Sequence, residues 1–225
     1  MSQLVLAAAF LLVSHYGISS TPLRAWLIER LGEGAYRGLY SLIALGAVIW
    51  LVIAWRQAPY VDLWPPYAWA AWLALLLMPI ALILLVAGVS APNPTSVGTP
   101  GALDRPDAAQ AILRITRHPV MWAIALWALL HLLANGDLAS LILFGTFTVL
   151  ALIGTLLIDA KYARRRGADW QRFANETSNL PFAAIAGGTQ RLAFAEIGWP
   201  RVVVALALYV VLLALHPFLF GVLPL

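Results

Sequence analysis

Four histidines are the residues of this chain best suited to chemistry: His15, His118, His131 and His216. Imidazole changes charge near neutral pH and is the commonest nitrogen ligand for a metal. Two of the four stand in one stretch, where Arg117-His118-Pro119 opens an apolar run that holds His131 and closes on Asn135-Gly136-Asp137. Proline fits the first turn of a helix and adjacent basic groups suit a membrane–water boundary, so this helix is expected to start at an interface. A histidine further inside has no water to satisfy it and requires a partner, a cavity or a bound ligand.

The elements that must position these residues are set by composition. Apolar residues make up 62% of the chain, charged residues 11%, and the mean hydropathy is +0.86. A chain this apolar is expected to be a polytopic membrane protein whose main partner is the lipid bilayer. The net charge of +4 and pI near 9.8 therefore do not point to nucleic acid. In a membrane protein the placement of basic residues matters more than their sum. There is no cysteine, which excludes disulfides, thiolate metal ligands, iron–sulfur clusters and covalent haem attachment.

Hydropathy and punctuation give an all-α transmembrane bundle, one domain over residues 1–225, with spans at about 4–19, 36–55, 67–90, 119–134, 138–158 and 202–220. No Lys or Arg precedes Arg24, so the first span lacks the basic flank of a cleaved leader and is expected to be retained. Gly34 and Gly38, four residues apart, are expected to admit a close backbone neighbour. The Pro- and Gly-rich stretch from Ala91 to Gly101 breaks the helical pattern. Asp104 and Pro106 then read as the start of an interfacial amphipathic helix reaching Thr116, with Ala108, Ile112 and Ile115 on one side. The span after Pro119 is short for a bilayer core that takes roughly 20 helical residues.

Charge placement supports this threading. With six spans, thirteen of the fourteen Lys and Arg residues fall in segments on one side, and Arg56 alone falls on the other. The positive-inside rule makes the rich side cytoplasmic, so both termini are expected outside, in a bacterial inner membrane.

Each histidine has a plain and a sharper reading. His15, beside Ser14 and Ser19, either bonds a neighbouring carbonyl or ligates a metal or haem iron. His118, next to Arg117, is either a solvated or phosphate-contacting group at the interface that needs no cofactor or a cofactor contact, and His131, one turn after Trp127, is either packed or a ligand. His216 precedes Pro217 and reads as a tolerated helix-end residue. His118 and His131 lie about 20 Å and about 220° apart on an ideal helix, so they cannot grip one small cofactor together. Depth from the basic side, about 6 Å for His15, near zero for His118 and about 20 Å for His131, pairs His15 with His118. Arg164-Arg165-Arg166 read as the fifth span leaving the membrane among lipid phosphates.

Four segments carry a family resemblance: Gly32-Glu-Gly-Ala-Tyr-Arg-Gly-Leu-Tyr-Ser-Leu42, Ile115-Thr-Arg-His-Pro119, His131-Leu-Leu-Ala-Asn-Gly-Asp137 and Asn175-Glu-Thr-Ser-Asn-Leu-Pro-Phe182. Together and in this order they resemble the NnrU family of bacterial integral membrane proteins, which is associated with denitrification and nitric oxide metabolism and is similar to plant 15-cis-ζ-carotene isomerases. The resemblance implies haem b, with His15 and His131 as the iron ligands, His118 and Arg117 as further cofactor-binding candidates, and a lipophilic small molecule as possible substrate. It replaces the depth-based pairing of His15 with His118. Arg117-His118-Pro119 followed by Gly167, Trp170 and Phe173 is also similar to isoprenylcysteine and phospholipid methyltransferases that bind S-adenosylmethionine. This chain has Asp159 but no adjacent glutamate pair where those enzymes carry acidic residues. A non-enzymatic membrane accessory or transport component is the third reading, in which the histidines only pack. Catalytic residues, substrate and oligomeric state are left open.

Overall fold

The computed structural model describes residues 1–96, 100–105 and 107–224. Nine α-helices are described: α1 (Ser2–Ser19), α2 (Pro22–Leu31), α3 (Glu33–Arg56), α4 (Ala68–Ser90), α5 (Pro119–Asn135), α6 (Leu138–Glu176), α7 (Ala183–Ala186), α8 (Phe194–Ile197) and α9 (Trp199–Phe220). Five of them, α1, α3, α4, α6 and α9, are long and apolar enough to cross a membrane. The shorter apolar α5 makes the sixth member of the bundle, and its 17 residues rise about 26 Å. The all-helical bundle expected from hydropathy is what forms.

Helix ends follow local chemistry. Thr21 caps α2 by accepting the Leu23 N–H, and Pro22 fills the first turn. Asp137 caps α6 through the Ser140 N–H at 2.9 Å. Gly136, at φ +71°, closes α5 and lets the chain reverse into α6.

Neighbouring helices pair in the order α9, α4, α5, α6, α1, α3. Lipid offers no hydrophobic drive for helices to associate, so contact rests on close packing of small side chains. Ala7 and Ala8 of α1, Ala47 and Ala54 of α3, Ala128 of α5 and Ala139 of α6 accordingly build one core with Leu4, Leu11, Leu51, Leu143 and Phe144. The close approach expected at Gly34 and Gly38 is not there, since nothing lies within 4 Å of a Cβ added at either. It occurs instead at Gly88, where an added Cβ would stand 2.9 Å from Val120 Cγ2. Most of α9 is exposed, and Val203, Val204, Val210 and Val211 present the apolar surface a lipid-facing helix needs.

The basic segments after α1, α4 and α6 meet at one end of the bundle. Arg117 reaches Asp159, Arg166 reaches Asp104 and Arg114 reaches Glu196. The connector between α3 and α4 packs against the α5–α6 turn at the other end, where Asp62 and Asp137 form an isolated β-bridge.

The amphipathic helix predicted over 104–116 is not formed. The chain there makes two 3₁₀ turns, Pro100–Asp104 and Ala111–Arg114, and Pro106 lies outside the described residues. Ala109, Ile112, Leu113 and Ile115 do gather on one side, but they join a second core with Leu84, Ala87, Ala123, Trp170 and Phe173. Their apolar partner is protein and not lipid, so a tight irregular path that buries them displaces a regular surface helix.

This segment is pinned by Glu196. Arg114 Nε and Nη2 donate to its two carboxylate oxygens at 2.7 and 2.9 Å, and the Ala111 N–H donates at 3.0 Å. Ala111 sits at φ +55°, a left-handed conformation that costs a non-glycine residue about 1–2 kcal/mol. The Arg114 guanidinium, then the Ala111 N–H, hold the Glu196 carboxyl below its ordinary range. A carboxyl with a lowered folded-state pKa adds stability above its unfolded value and loses it as pH falls through the folded one. Glu196→Gln is therefore expected to shrink the acid-side fall in melting temperature between about pH 5 and about pH 3. Thermal unfolding in detergent across that window checks this, and an unchanged slope counts against it.

Candidate functional site

Ile115-Thr116-Arg117-His118 is strapped to the segment after α6. The Arg117 N–H donates to the Ser178 carbonyl at 2.9 Å and the Phe182 N–H to the Ile115 carbonyl at 2.8 Å. Thr116 Oγ1 and Trp122 Nε1 both donate to the Asn179 carbonyl, at 2.6 and 2.8 Å. Buried backbone groups need such partners, and here an irregular loop supplies them.

Asp159 is the centre of this arrangement. It belongs to the part of α6 that follows the apolar stretch. Arg117 Nη2 donates to Asp159 Oδ2 at 2.6 Å, and Arg117 Nε lies 3.1 Å from both oxygens. Arg117 Nη1 donates to the Thr177 carbonyl at 3.1 Å, and the guanidinium lies over the Trp170 ring. Asn179 Nδ2 donates to Thr155 Oγ1 at 2.9 Å and reaches Asp159 Oδ2 at 3.4 Å. His118 Nε2 completes the set, 2.6 Å from Asp159 Oδ1.

His118 is 1% exposed. Burial pushes its imidazole below the ordinary histidine range, and the Asp159 carboxylate opposes that shift without overcoming it. A neutral ring carries one N–H, which the carboxylate draws to Nε2, so Nδ1 keeps its lone pair. Nδ1 is buried with no hydrogen-bonding partner among the described residues. A carboxylate-oriented imidazole with a lone pair at its other nitrogen can accept a proton or bind a metal.

Trp170 and Phe173 reach this region because α6 breaks at Gly167, at φ 46° and ψ −115°. Tyr162 and Trp170 stack with centroids 5.1 Å apart, whereas eight residues of straight helix would separate them by about 12 Å. The glycine therefore turns the helix back on itself. Gly167, Trp170 and Phe173, the residues of the methyltransferase likeness, here shape a packed core.

The other two candidate ligands lie elsewhere. His131 Nδ1 is 2.9 Å from the Trp127 carbonyl one turn earlier, and its ring stacks on Phe144 with centroids 5.0 Å apart. A carbonyl only accepts, so the proton sits on Nδ1 and Nε2 keeps the lone pair. The half-buried His15 meets the Tyr40 hydroxyl, 2.8 Å from Nδ1 and 3.1 Å from Nε2. Next to it Tyr16 donates to the Val149 and Leu150 carbonyls, locking α1 to α6. Phe144 and the Val149–Leu150 pair are about 8 Å apart along α6, so His15 and His131 flank one helix at different depths. No contact links either ring to the other or to His118 among the described residues. The structure thus joins Arg117 to His118, and it leaves His15 and His131 as separate sites. His216 Nδ1 approaches the Val222 carbonyl at 2.9 Å, a contact at the end of α9.

Thr155 was not singled out in the sequence, and Asp159, Asn179 and Thr177 were quoted there without a place in the site. One signal was available: a lone carboxylate in the turn after a long apolar stretch needs a cation, and Arg117 starts the preceding span.

These linked segments are the ones whose order and residue types stand out in the sequence, and the comparison with known families decides what they mean. The NnrU protein family matches residues 3–224. This chain belongs to the NnrU family. Among curated proteins, this NnrU-family chain is 29% identical over 202 residues to the chloroplastic 15-cis-zeta-carotene isomerase of Arabidopsis thaliana, covering 85% of the chain and 52% of that protein. It is 28% identical over 195 residues to the protein of the same name from Zea mays, covering 84% and 52%. The chain thus spans about half the length of the curated relatives it matches. No solved structure matches it significantly.

Proposed function

We propose that this NnrU-family chain binds haem b in the bilayer through His15 and His131 and isomerises a carbon–carbon double bond of a lipophilic polyene. The observation that carries the reading is the His131 imidazole, held by the Trp127 carbonyl at Nδ1 so that Nε2 is left to ligate. His15 suits the second position, because Tyr40 can hold Nδ1 while Nε2 turns to a ligand. The relatives named as carotene isomerases supply the reaction class.

Haem, when bound, would supply an iron centre whose charge and potential His15 and His131 would tune. This chain's residues orient and shield: Trp127, Phe144 and Phe147 fix the His131 side by ring contacts, and Tyr40 fixes His15. Isomerisation gains and loses no atoms, so the reaction needs no co-substrate. A redox role linked to denitrification is the alternative use of the same haem, drawn from the family's association. In this reading the arginine-rich end lies on the cytoplasmic side of a bacterial inner membrane and both termini outside, on the positive-inside rule alone.

An absorption spectrum of the protein purified in mild detergent tests the haem. A Soret band is expected that weakens in His131→Ala and in His15→Ala, as removal of an iron ligand should cause. A colourless, folded preparation from haem-replete cells, or an unaltered band in both variants, overturns the reading and favours an accessory role in which the histidines only pack.

A further inference from the structure

The arginine-rich end holds a concavity beside the Asp159 cluster. Its volume is about 340 Å³, and it is lined by Ser19, Ser20, Thr21 and Pro22 of the α1–α2 turn, Arg24 of α2, and Leu157, Lys161, Arg164 and Arg165 of α6. Positions 157, 161, 164 and 165 recur at helical spacing, so α6 turns one apolar and three cationic side chains to the same face.

Four cations in one concavity repel one another unless something negative offsets them. Among the described residues no carboxylate lies within ion-pair distance of Arg24, Lys161, Arg164 or Arg165. The adjacent Arg166 differs, being paired to Asp104 and 3.7 Å from Asp169. Acidic partners are thus present on one side of this helix and absent from the other. Arg24 stands over the Tyr36 ring and Lys161 Nζ over the Tyr162 ring, which orients both chains without neutralising them. Lys161 feels the charges of both Arg24 and Arg165, so the cationic groups share one field although they come from two helices.

Hydroxyls complete the lining. Thr21 Oγ1 is committed, donating to the Gly17 carbonyl and accepting from the Leu23 N–H. Ser19 and Ser20 meet each other at 3.1 Å and Ser19 also bonds the Tyr40 hydroxyl, so these hydroxyls shape the wall while the cations supply the free donors. Guanidinium forks and an ammonium around one space match a tetrahedral oxyanion with several acceptor oxygens. Leu157 sets the depth, because the apolar part of α6 ends next to it at Ile158, just before Lys161 and the plane at which lipid phosphates lie.

We propose that this cavity binds a phosphate group, carried by an anionic lipid headgroup or by a soluble anion, and that the bound group ties the α1–α2 turn to α6. The idea stands whether or not the chain holds haem.

The test is thermal unfolding of the full chain in a non-ionic detergent, followed by tryptophan fluorescence. Phosphatidylglycerol, phosphatidylcholine, inorganic phosphate and, at equal ionic strength, chloride are added separately. Ligand that binds only the folded form raises the midpoint. A rise with phosphatidylglycerol and none with phosphatidylcholine or chloride supports a headgroup, whereas a rise with inorganic phosphate alone supports a soluble source. Lys161→Gln with Arg165→Gln is expected to weaken the effect by about tenfold or more, the scale of losing charge-assisted hydrogen bonds. Arg172→Gln, outside the cavity lining, is expected to leave it unchanged. Should the double variant not fold, Arg24→Gln on the opposite wall makes the same test. No rise with either phosphate source, or a rise that survives both the double variant and Arg24→Gln, overturns the proposal.

Discussion

Asp159→Ala is expected to cost about 3–5 kcal/mol, the usual loss when one member of a buried charge pair is removed. Folded proteins hold a margin of roughly 5–15 kcal/mol, so most of that margin would go. The carboxylate takes hydrogen bonds from Arg117, His118 and Asn179, and the Arg117 and His118 side chains are 14% and 0% exposed. Without it a guanidinium is left facing the Trp170 ring with only the Thr177 carbonyl as partner. Asp159→Asn keeps an oxygen that can accept from His118 Nε2 while losing the charge, so it should fall between wild type and alanine. The measurement is the fraction of monodisperse protein after mild detergent extraction, with the unfolding midpoint of what survives. Asp159→Ala as stable as wild type would show that the cluster does not hold the segments together.

Gly136→Ala is the second large effect, expected to cost roughly 3 kcal/mol or more. An added Cβ would fall 2.3 Å from the Trp64 carbonyl oxygen, a contact that only backbone movement can relieve. The residue also sits at φ +71°, where a side chain costs about 1–2 kcal/mol. The Gly136 carbonyl accepts the Leu63 and Trp64 N–H groups at 2.9 and 3.1 Å, and the Leu138 N–H donates to the Val61 carbonyl at 2.9 Å. Moving the turn strains this pairing, and each hydrogen bond lost removes about 1 kcal/mol more. Gly34→Ala is the matched control, because its helical position has open space around it and alanine there should gain up to about 1 kcal/mol. Equal melting temperatures for the two variants would mean that the connector and turn are not rigidly joined.

How far the site could be read in advance differs residue by residue. His131 was legible as a candidate ligand, because an imidazole in an apolar helix is conspicuous and the i−4 carbonyl that takes its proton belongs to the same helix. His118 was legible as an interfacial group but not as a buried one. Its burial and its carboxylate partner come from α6, 41 residues away. The rings of His15, His118 and His131 do not meet among the described residues, since depth along a helix carries no information about which face each ring takes: His15 meets Tyr40, His118 meets Asp159 and His131 meets the Trp127 carbonyl.

The sequence by itself determined the helical spans and the gathering of basic residues at one end. Both follow from solvation, since a run of apolar side chains long enough for the bilayer forms a helix whatever its neighbours are. Only the tertiary structure decided that Ile112 and Ile115 are buried against protein, that Gly167 folds α6 back to deliver Trp170, and that Asp159 draws Arg117 and His118 together. Those outcomes depend on which surfaces meet, and composition and periodicity do not encode the partner of a side chain whose counterpart lies many residues along the chain.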